Sequence, residues 1–328
     1  MSVVVFGDIH FNDERPWSLE AGREFIKFLD TCEHNHGRNI GVLLGDITEK
    51  ASISPLVYEL LFDLFHALHF KQTYILRGNH DKKKRKDRWV APLSFLQSEN
   101  SPYTKISFVD NPMYVQPEGE RPLIFLPFRA PNEEPNMEAY AAQLEPLWYN
   151  LNDALIFGHF ADTSSEAVRD NLIDLKRFTG SVVLGHIHNP FSDNYIGSVM
   201  PNSLSEKGLE RYYRVYEKHS RNDVRLPNFL DYYDVSFPEE LPEVECSIPI
   251  FTIHNCQSAD AAQARYPGIY IRKCIYDNLV DADSFSDLIS SASTEHSLTK
   301  TITNWLDTQD TIAPSIKEKV MRYFHTTN

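Results

Sequence analysis

The chain has 328 residues, 42% of them hydrophobic and 24% charged, with a formal net charge of −14. That length can bury a large core, enough for one main domain and a smaller appendage. The negative balance argues against a protein that coats nucleic acid non-specifically, but it leaves open the local field at a site. No apolar run is long enough to span a bilayer, and MSVVVFGDIH carries neither a basic leader nor a cleavage site, so a cytoplasmic protein without membrane attachment is expected. The cysteines Cys32, Cys246, Cys256 and Cys274 are scattered without a CxxC, which disfavours a disulfide framework or a structural zinc site.

In chain order, VVVFGD (3–8) reads as a buried strand. Residues 18–32 read as an amphipathic helix whose apolar stripe, Ala21, Phe25, Phe28 and Leu29, ends in Cys32 as a core thiol. His34, His36 and Gly37 suit the end of that helix. NIGVLLGD (39–46) is the next strand, and a helix follows from Ser54, with Ser54 as cap and Pro55 in the first turn. His66 and His69 fall on that helix or its end as surface or packing residues. Next come the strand TYILRG (73–78), a helix near Val90–Gln97, the strands TKISFV, MYVQ and LIFLPF, and a helical stretch around 137–147. DALIFGH, SVVLGH, NYIGS and RYYRVYE continue the strand pattern. After residues 231–245, an acidic connector, IPIFTIHN, SADAAQARY and GIYIRKCIY read as a strand–helix–strand unit, and the tail from about Ser284 reads as helical. Nothing is assigned to His254, and there is no GxxxxGK[ST] to bind ATP. Continuous apolar strands that end in polar loops predict a layered α/β sheet with its site at the carboxyl ends of the strands.

Those loops carry the chemistry. GDIH (7–10), GDIT (45–48), GNHD (78–81), GHF (158–160) and GHIH (185–188) supply carboxylate, amide and imidazole donors from separate strand exits. A single GH or GNH is an ordinary turn; the ordered set predicts a two-metal site for phosphate esters. One ion takes Asp8, His10, Asp46 and His188, and the other takes Asp46, Asn79, His159 and His186. Ions about 3.5–4 Å apart would hold hydroxide between them and clamp the phosphoryl oxygens for in-line attack. Mixed carboxylate and imidazole donors favour manganese, with iron or zinc as alternatives. His80 is placed to stabilise the transition state or to protonate the leaving oxygen, with Asp81 orienting it.

In this order the blocks resemble those of the calcineurin-like metallophosphoesterase superfamily. The Ser/Thr protein phosphatase branch is disfavoured, because Phe11, Ile47-Thr48-Glu49 and Asp81 stand where that branch differs. DNYIGSVMPNSLSEKG (193–208) is similar to the Y-x-G-S … S-x-x-E stretch of SbcD-type DNA repair nucleases. The resemblance implies an α/β fold: a layered metallophosphoesterase β-sandwich flanked by helices, then a small α+β capping domain and C-terminal helices. The corresponding boundaries are 1–228, 229–280 and 281–328. It also implies the seven ligands above, with His80 as the catalytic histidine. The expected function is a manganese-dependent DNA nuclease, a homodimer acting with an SbcC-type coiled-coil ATPase. The chain is compact, as are phage-encoded members, which would place it in a host cytoplasm. Glu49 departs from the Asp or His usual in the second block, which puts in doubt any DNA contact made from that loop.

The run Lys82, Lys83, Lys84, Arg85, Lys86 and Arg88 leaves the loop bearing Asn79 and His80. It reads either as a solvated loop or, favoured by its position, as a contact for the DNA backbone. Trp89 anchors the following segment or stacks on a base, the anchor being favoured. Trp305, Leu306, Val320, Met321 and Phe324 would bind the ATPase or pack as a lid. The rival readings are a stand-alone phosphodiesterase or phosphatase for a small molecule, and a non-catalytic scaffold for DNA or the ATPase.

Overall fold

The structure is a computed structural model. It describes residues 2–275 except 38, 86, 87, 100, 119, 131, 132, 134–138, 140–152, 164–171, 191, 219 and 257, with residues 85, 88, 89 and 177 described by backbone alone. The helix expected around 137–147 (apart from the helical residue Ala139), the helical tail and the segment 281–328 lie outside the described residues.

Two sheets form the body. The larger runs β14-β13-β1-β2-β3-β6, from strands β1 (Val3–Phe6), β2 (Ile40–Leu43), β3 (Gln72–Leu76), β6 (Ile106–Val109), β13 (Tyr212–Tyr216) and β14 (Arg221–Arg225). The smaller runs β12-β9-β8-β7, from β7 (Met113–Val115), β8 (Leu123–Leu126), β9 (Leu155–Gly158) and β12 (Ser181–Leu184). Strands β1, β2, β3 and β6 are mutually parallel, as are β8, β9 and β12. Parallel strands buried on both faces need continuous apolar runs, which is why VVVF, IGVL and LIFG carry no polar alternation.

The facing sides of the sheets share one core. Val3, Val5, Val42, Leu76 and Val109 from the larger sheet pack with Leu123, Phe125, Phe157 and Val183 from the smaller. Burial of each such side chain contributes about 1.5–3 kcal/mol. Alternate residues face outward: Phe6 meets Phe25 of helix α1 (Pro16–Thr31) edge-on at 5.8 Å, and stacks on Tyr213 at 5.2 Å. Helix α2 (Pro55–Ala67) lies beside α1, with Leu60 close to Gly22. The outer side of the smaller sheet is covered by Phe160, Ile173, Phe178 and Tyr195. This is a mixed α/β sandwich with several sheets and few helices.

Several local expectations change. Helix α1 starts at Pro16, a residue suited to a first turn. It stops at Cys32 rather than Gly37, because Asn35 Nδ2 caps the Leu29 carbonyl at 2.7 Å. In α2 the Ser54 cap and Pro55 stand as expected. The basic run forms two short antiparallel strands, β4 (Lys83–Arg85) and β5 (Arg88–Val90), with Lys84 opposite Trp89. Only a 3-10 turn, Pro92–Gln97, stands where the helix near Val90 was expected. Two further short strands, β10 (Ala161–Asp162) and β11 (Leu172–Ile173), pair in parallel.

The chain divides into two compact units. The first holds Met1–Tyr233 and Glu243–Ile250; the second holds Asp234–Pro242 and the described residues from Phe251 onward. The acidic connector is partly a strand, β15 (Leu230–Ser236), which buries Leu230, Tyr232 and Val235. It belongs to a sheet in the order β15-β16-β17, with β16 (Ile248–His254) and β17 (Tyr270–Ile275). In the second unit, helix α3 (Ala259–Arg265) is capped by Ser258, and His254 pairs with Asp234 at 3.0 Å. Among the described residues no helix is long and apolar enough to cross a membrane.

Candidate metal centre

All five signature loops leave the carboxyl ends of parallel strands, three from the larger sheet and two from the smaller. Their glycines permit close approach. A Cβ on Gly78 would lie 2.0 Å from Asp46 Oδ1, and one on Gly185 would lie 2.5 Å from Asp8 Oδ1. Three of the expected ligands, His10, Asp46 and His186, have positive φ values of 56°, 47° and 76°. Non-glycine residues rarely adopt that backbone, and holding each there costs about 1–3 kcal/mol.

The donors gather in overlapping groups: Asp8, His10 and His188; Asp46, His159 and His186; and His10, Asp46 and His80. Within each, candidate ligand atoms lie within 4.8 Å of one another. Asn79 Oδ1 joins the second group, 3.0 Å from His159 Nε2 and 2.9 Å from His186 Nδ1. Asp46 Oδ2 lies 3.4 Å from His159 Nε2 and 3.7 Å from His10 Nε2, between the two groups. The structure therefore brings together Asp8, His10, Asp46, Asn79, His159, His186 and His188, with His80 beside them.

Divalent ions fit this donor set. His10 Nδ1 sits 2.9 Å from Glu49 Oε2, and His188 Nδ1 sits 3.0 Å from Glu206 Oε1. The Glu206 hydrogen bond holds a proton on His188 Nδ1, and the adjacent Glu49 charge favours one on His10 Nδ1, so that in the neutral rings both Nε2 lone pairs face inward. The two Nε2 atoms are 3.0 Å apart, a pairing of lone pairs that a cation relieves. Among the described residues Asp8 Oδ1 and His186 Nε2 are buried with no hydrogen-bond partner, and His10 Nδ1 meets Glu49 as a close ion-pair contact rather than an aligned hydrogen bond. The field has the same preference: burial would depress His10, but the adjoining Glu49 carboxylate and the charges of Asp46 and Asp8 push it up to about 9. Burial likewise opposes protonation of His159, and Asp46 and Asp8 outweigh it, raising that ring to about 9. His186 is depressed to about 3 by burial and by the neighbouring His159.

Asp81 does not orient His80. Its carboxylate accepts from Ile47 N at 3.0 Å, Thr48 N at 3.2 Å, Thr48 Oγ1 at 3.4 Å and Gly78 N at 2.9 Å, which locks the second loop to the third. His80 Nδ1 instead donates to the Glu49 carbonyl at 2.7 Å.

The basic run divides. Lys82 is drawn inward to Glu133 at 2.5 Å and Asp110 at 3.4 Å, in a cluster with the fully buried Arg77, which also pairs with both acids. Burial would raise the Glu133 carboxyl, but the hydrogen bond from Lys82 and the charge of Arg77 hold it below the usual carboxylate range. Lys83 and Lys84 are exposed on β4. Arg85 and Arg88 stand opposite each other on β4 and β5, and Lys86 lies outside the described residues.

Sequence reasoning missed Glu206 and Glu49 as neighbours of His188 and His10. Glu206 also accepts from Ser198 Oγ at 3.0 Å, Asn202 N at 3.2 Å and Arg211 at 3.4 Å. Burial opposes its ionisation, yet His188 and Arg211 hold it near 2. The S-x-x-E spacing Ser203–Glu206 was the available signal; for Glu49 there was only the departure from the family pattern.

A sandwich with carboxylates and imidazoles gathered at strand ends defines a metal-dependent phosphoester hydrolase. Residues 1–190 match the calcineurin-like phosphoesterase family, and the chain belongs to that family. No curated protein sequence matches it. Among solved structures it is similar to the crystal structure of phosphopantetheinyl hydrolase (PptH) from Mycobacterium tuberculosis, with 12% identity over 60% of this chain and 89% of that one and a TM-score of 0.38. A likeness that slight carries no argument about substrate.

Proposed function

We propose that the chain is a manganese-dependent DNA nuclease subunit of the SbcD type, hydrolysing phosphodiesters beside an SbcC-type ATPase. The observation that carries this reading is the placement of the exposed Lys83 and Lys84, on a strand that leaves the same loop as Asn79 and His80. A polyanionic backbone reaching the donor cluster would meet them, and a small ester would not need them. The Tyr195–Glu206 stretch supports the same reading, since it delivers the carboxylate that holds His188.

Asp8, His10, Asp46 and His188 would hold one ion, and Asp46, Asn79, His159 and His186 the other. Bound there, two ions would polarise the phosphoryl oxygens and acidify a water. His80 stands beside His10, with ring centroids 5.0 Å apart, and would deliver a proton to the leaving oxygen. Phe128 lies 6.1 Å from His186 and 6.2 Å from His159, walling the second group on one side. A homodimer is part of the proposal. The ATPase-binding segment falls outside the described residues.

The test is degradation of linear DNA with Mn²⁺, Mg²⁺ or chelator, by wild type, His80→Ala and a Lys83→Ala/Lys84→Ala double variant, with an aryl phosphodiester alongside. The expected result is Mn²⁺-dependent DNA cleavage, lost in His80→Ala and weakened in the lysine variant, whose ester cleavage persists. Ester hydrolysis with no DNA cleavage, even with the ATPase present, overturns the nuclease and leaves a small-molecule phosphodiesterase.

A further inference from the structure

Glu49 is where three of the signature loops meet. Its amide donates to Phe11 O at 3.0 Å, continuing the contacts by which the first loop lies against the second: His10 N to Asp46 O at 2.9 Å and Phe11 N to Ile47 O at 2.9 Å. Its carbonyl accepts from His80 Nδ1 at 2.7 Å. Its carboxylate lies 2.9 Å from His10 Nδ1 and accepts from Asn202 Nδ2 at 3.1 Å. Asn202 in turn donates its amide to Glu206, the partner of His188.

A carbonyl oxygen can only accept, so the His80 proton is fixed on Nδ1 and Nε2 is left to exchange protons with a substrate. The carboxylate, 2.9 Å from His10 Nδ1, favours the same tautomer on His10 by its charge, and Nε2 is then free to bind a cation. The first donor group is thus backed by two carboxylates, Glu49 behind His10 and Glu206 behind His188. The second is held differently: His159 Nδ1 is bonded to the Leu44 carbonyl at 2.7 Å, and the nearest carboxylate oxygen to that nitrogen among the described residues, Asp8 Oδ1, stands back at 3.9 Å.

We propose that Glu49 is a positioning residue that sets the tautomers of both the ligand His10 and the proton donor His80, making the Asp8–His10–His188 group the tighter of two unequal cation sites. Its carboxylate supplies the affinity at His10 and its main chain aligns His80, so one residue couples ion loading to proton delivery. This rests on the two-ion phosphoesterase reading given above.

The experiment is calorimetric titration of chelator-treated full-length protein with Mn²⁺, for wild type, Glu49→Ala and Glu49→Gln. Unfolding of each ion-free protein and aryl phosphodiester kinetics are measured in parallel. Wild type is expected to bind two ions with distinguishable affinities. Glu49→Ala weakens the tighter site about 10–100-fold and leaves the other unchanged. Glu49→Gln, which keeps an acceptor for His10 at nearly the same shape, loses less. The ion-free unfolding midpoints stay together, and half-maximal phosphodiester cleavage by Glu49→Ala requires about 10–100-fold more Mn²⁺. Wild-type affinities at both sites in Glu49→Ala overturn the proposal. So does equal weakening of both sites with a lowered ion-free midpoint, the mark of a merely structural residue. Should Glu49→Ala not fold, Glu49→Gln decides by the same comparison. A wild type that loads two ions but cleaves no phosphoester refutes the hydrolytic reading, and the titration then decides the role of Glu49 by itself.

Discussion

Replacing Asp81 by alanine separates the two roles open to that residue. In the structure its carboxylate is fully buried and is the acceptor for three main-chain amides, Ile47, Thr48 and Gly78, and for the Thr48 hydroxyl. The hydroxyl can turn to another acceptor, but the amides cannot. A buried donor left without a partner costs about 1–3 kcal/mol, so three amides amount to roughly 3–9 kcal/mol. A water entering the vacated space would satisfy one or two of them, bringing the expected loss to about 4 kcal/mol. Urea unfolding at pH 7 with chelator measures this directly, as a fall in the midpoint at unchanged slope. Asp81→Asn, which keeps one acceptor oxygen, should fall between wild type and alanine. If Asp81 instead served mainly to orient His80, Asp81→Ala would lose activity and keep its stability. A loss below about 1 kcal/mol would therefore refute the reasoning.

Gly78→Ala should cost about 1–3 kcal/mol by overpacking and weaken Mn²⁺ binding, because the new methyl would stand 2.0 Å from Asp46 Oδ1 and 2.3 Å from Asp46 N; wild-type affinity in a titration would contradict it. Mn²⁺ at a hundred times its dissociation constant should raise the unfolding free energy by about 2.7 kcal/mol per site, reversed by chelator. Thermal scans that do not move with the metal would exclude a metal centre in the folded chain. At Asp223 burial would raise the carboxyl, but hydrogen bonds from Arg214 and Arg221 outweigh it and hold it below the ordinary range. The stability from this depressed group is fully present above its unfolded pKa of about 4 and is lost as pH falls through the folded value. Asp223→Asn should accordingly show a shallower decline in unfolding midpoint below about pH 4, and an unchanged acid slope would count against the pairing.

The residues of the candidate metal centre are legible in the sequence because each stands at or just after a glycine-led turn at the end of an apolar strand, and local spacing suffices to see that. The same holds for the cap at Ser54 and Pro55, a signal contained in adjacent residues. What is not legible depends on contacts between distant segments. Glu133 reaches Lys82 across 51 positions and Glu206 reaches His188 across 18, with no periodicity to announce either. The basic run has the look of a uniform charged surface, yet the buried Glu133 and the partly buried Asp110 withdraw Lys82 from it. Adjacency in sequence pairs Asp81 with His80, whereas the amides that need its carboxylate include two from another loop. In the connector the acidic total suggests a loop, and the aromatic and β-branched residues within it, Tyr232, Tyr233 and Val235, are the better guide.

The left-handed backbone at His10, Asp46 and His186 bears on how this chain can change over generations. Each of those side chains keeps a conformation that glycine would adopt without strain. While the ions must be held, selection retains the costly residue; once the chemistry is dispensable, drift toward glycine at these three positions makes the chain more robust. A descendant that has abandoned catalysis for a purely architectural task would then unfold at a higher temperature than its working ancestor. The record of that retirement would be written in glycines at the rim of the sheets, while the hydrophobic sandwich beneath stayed intact.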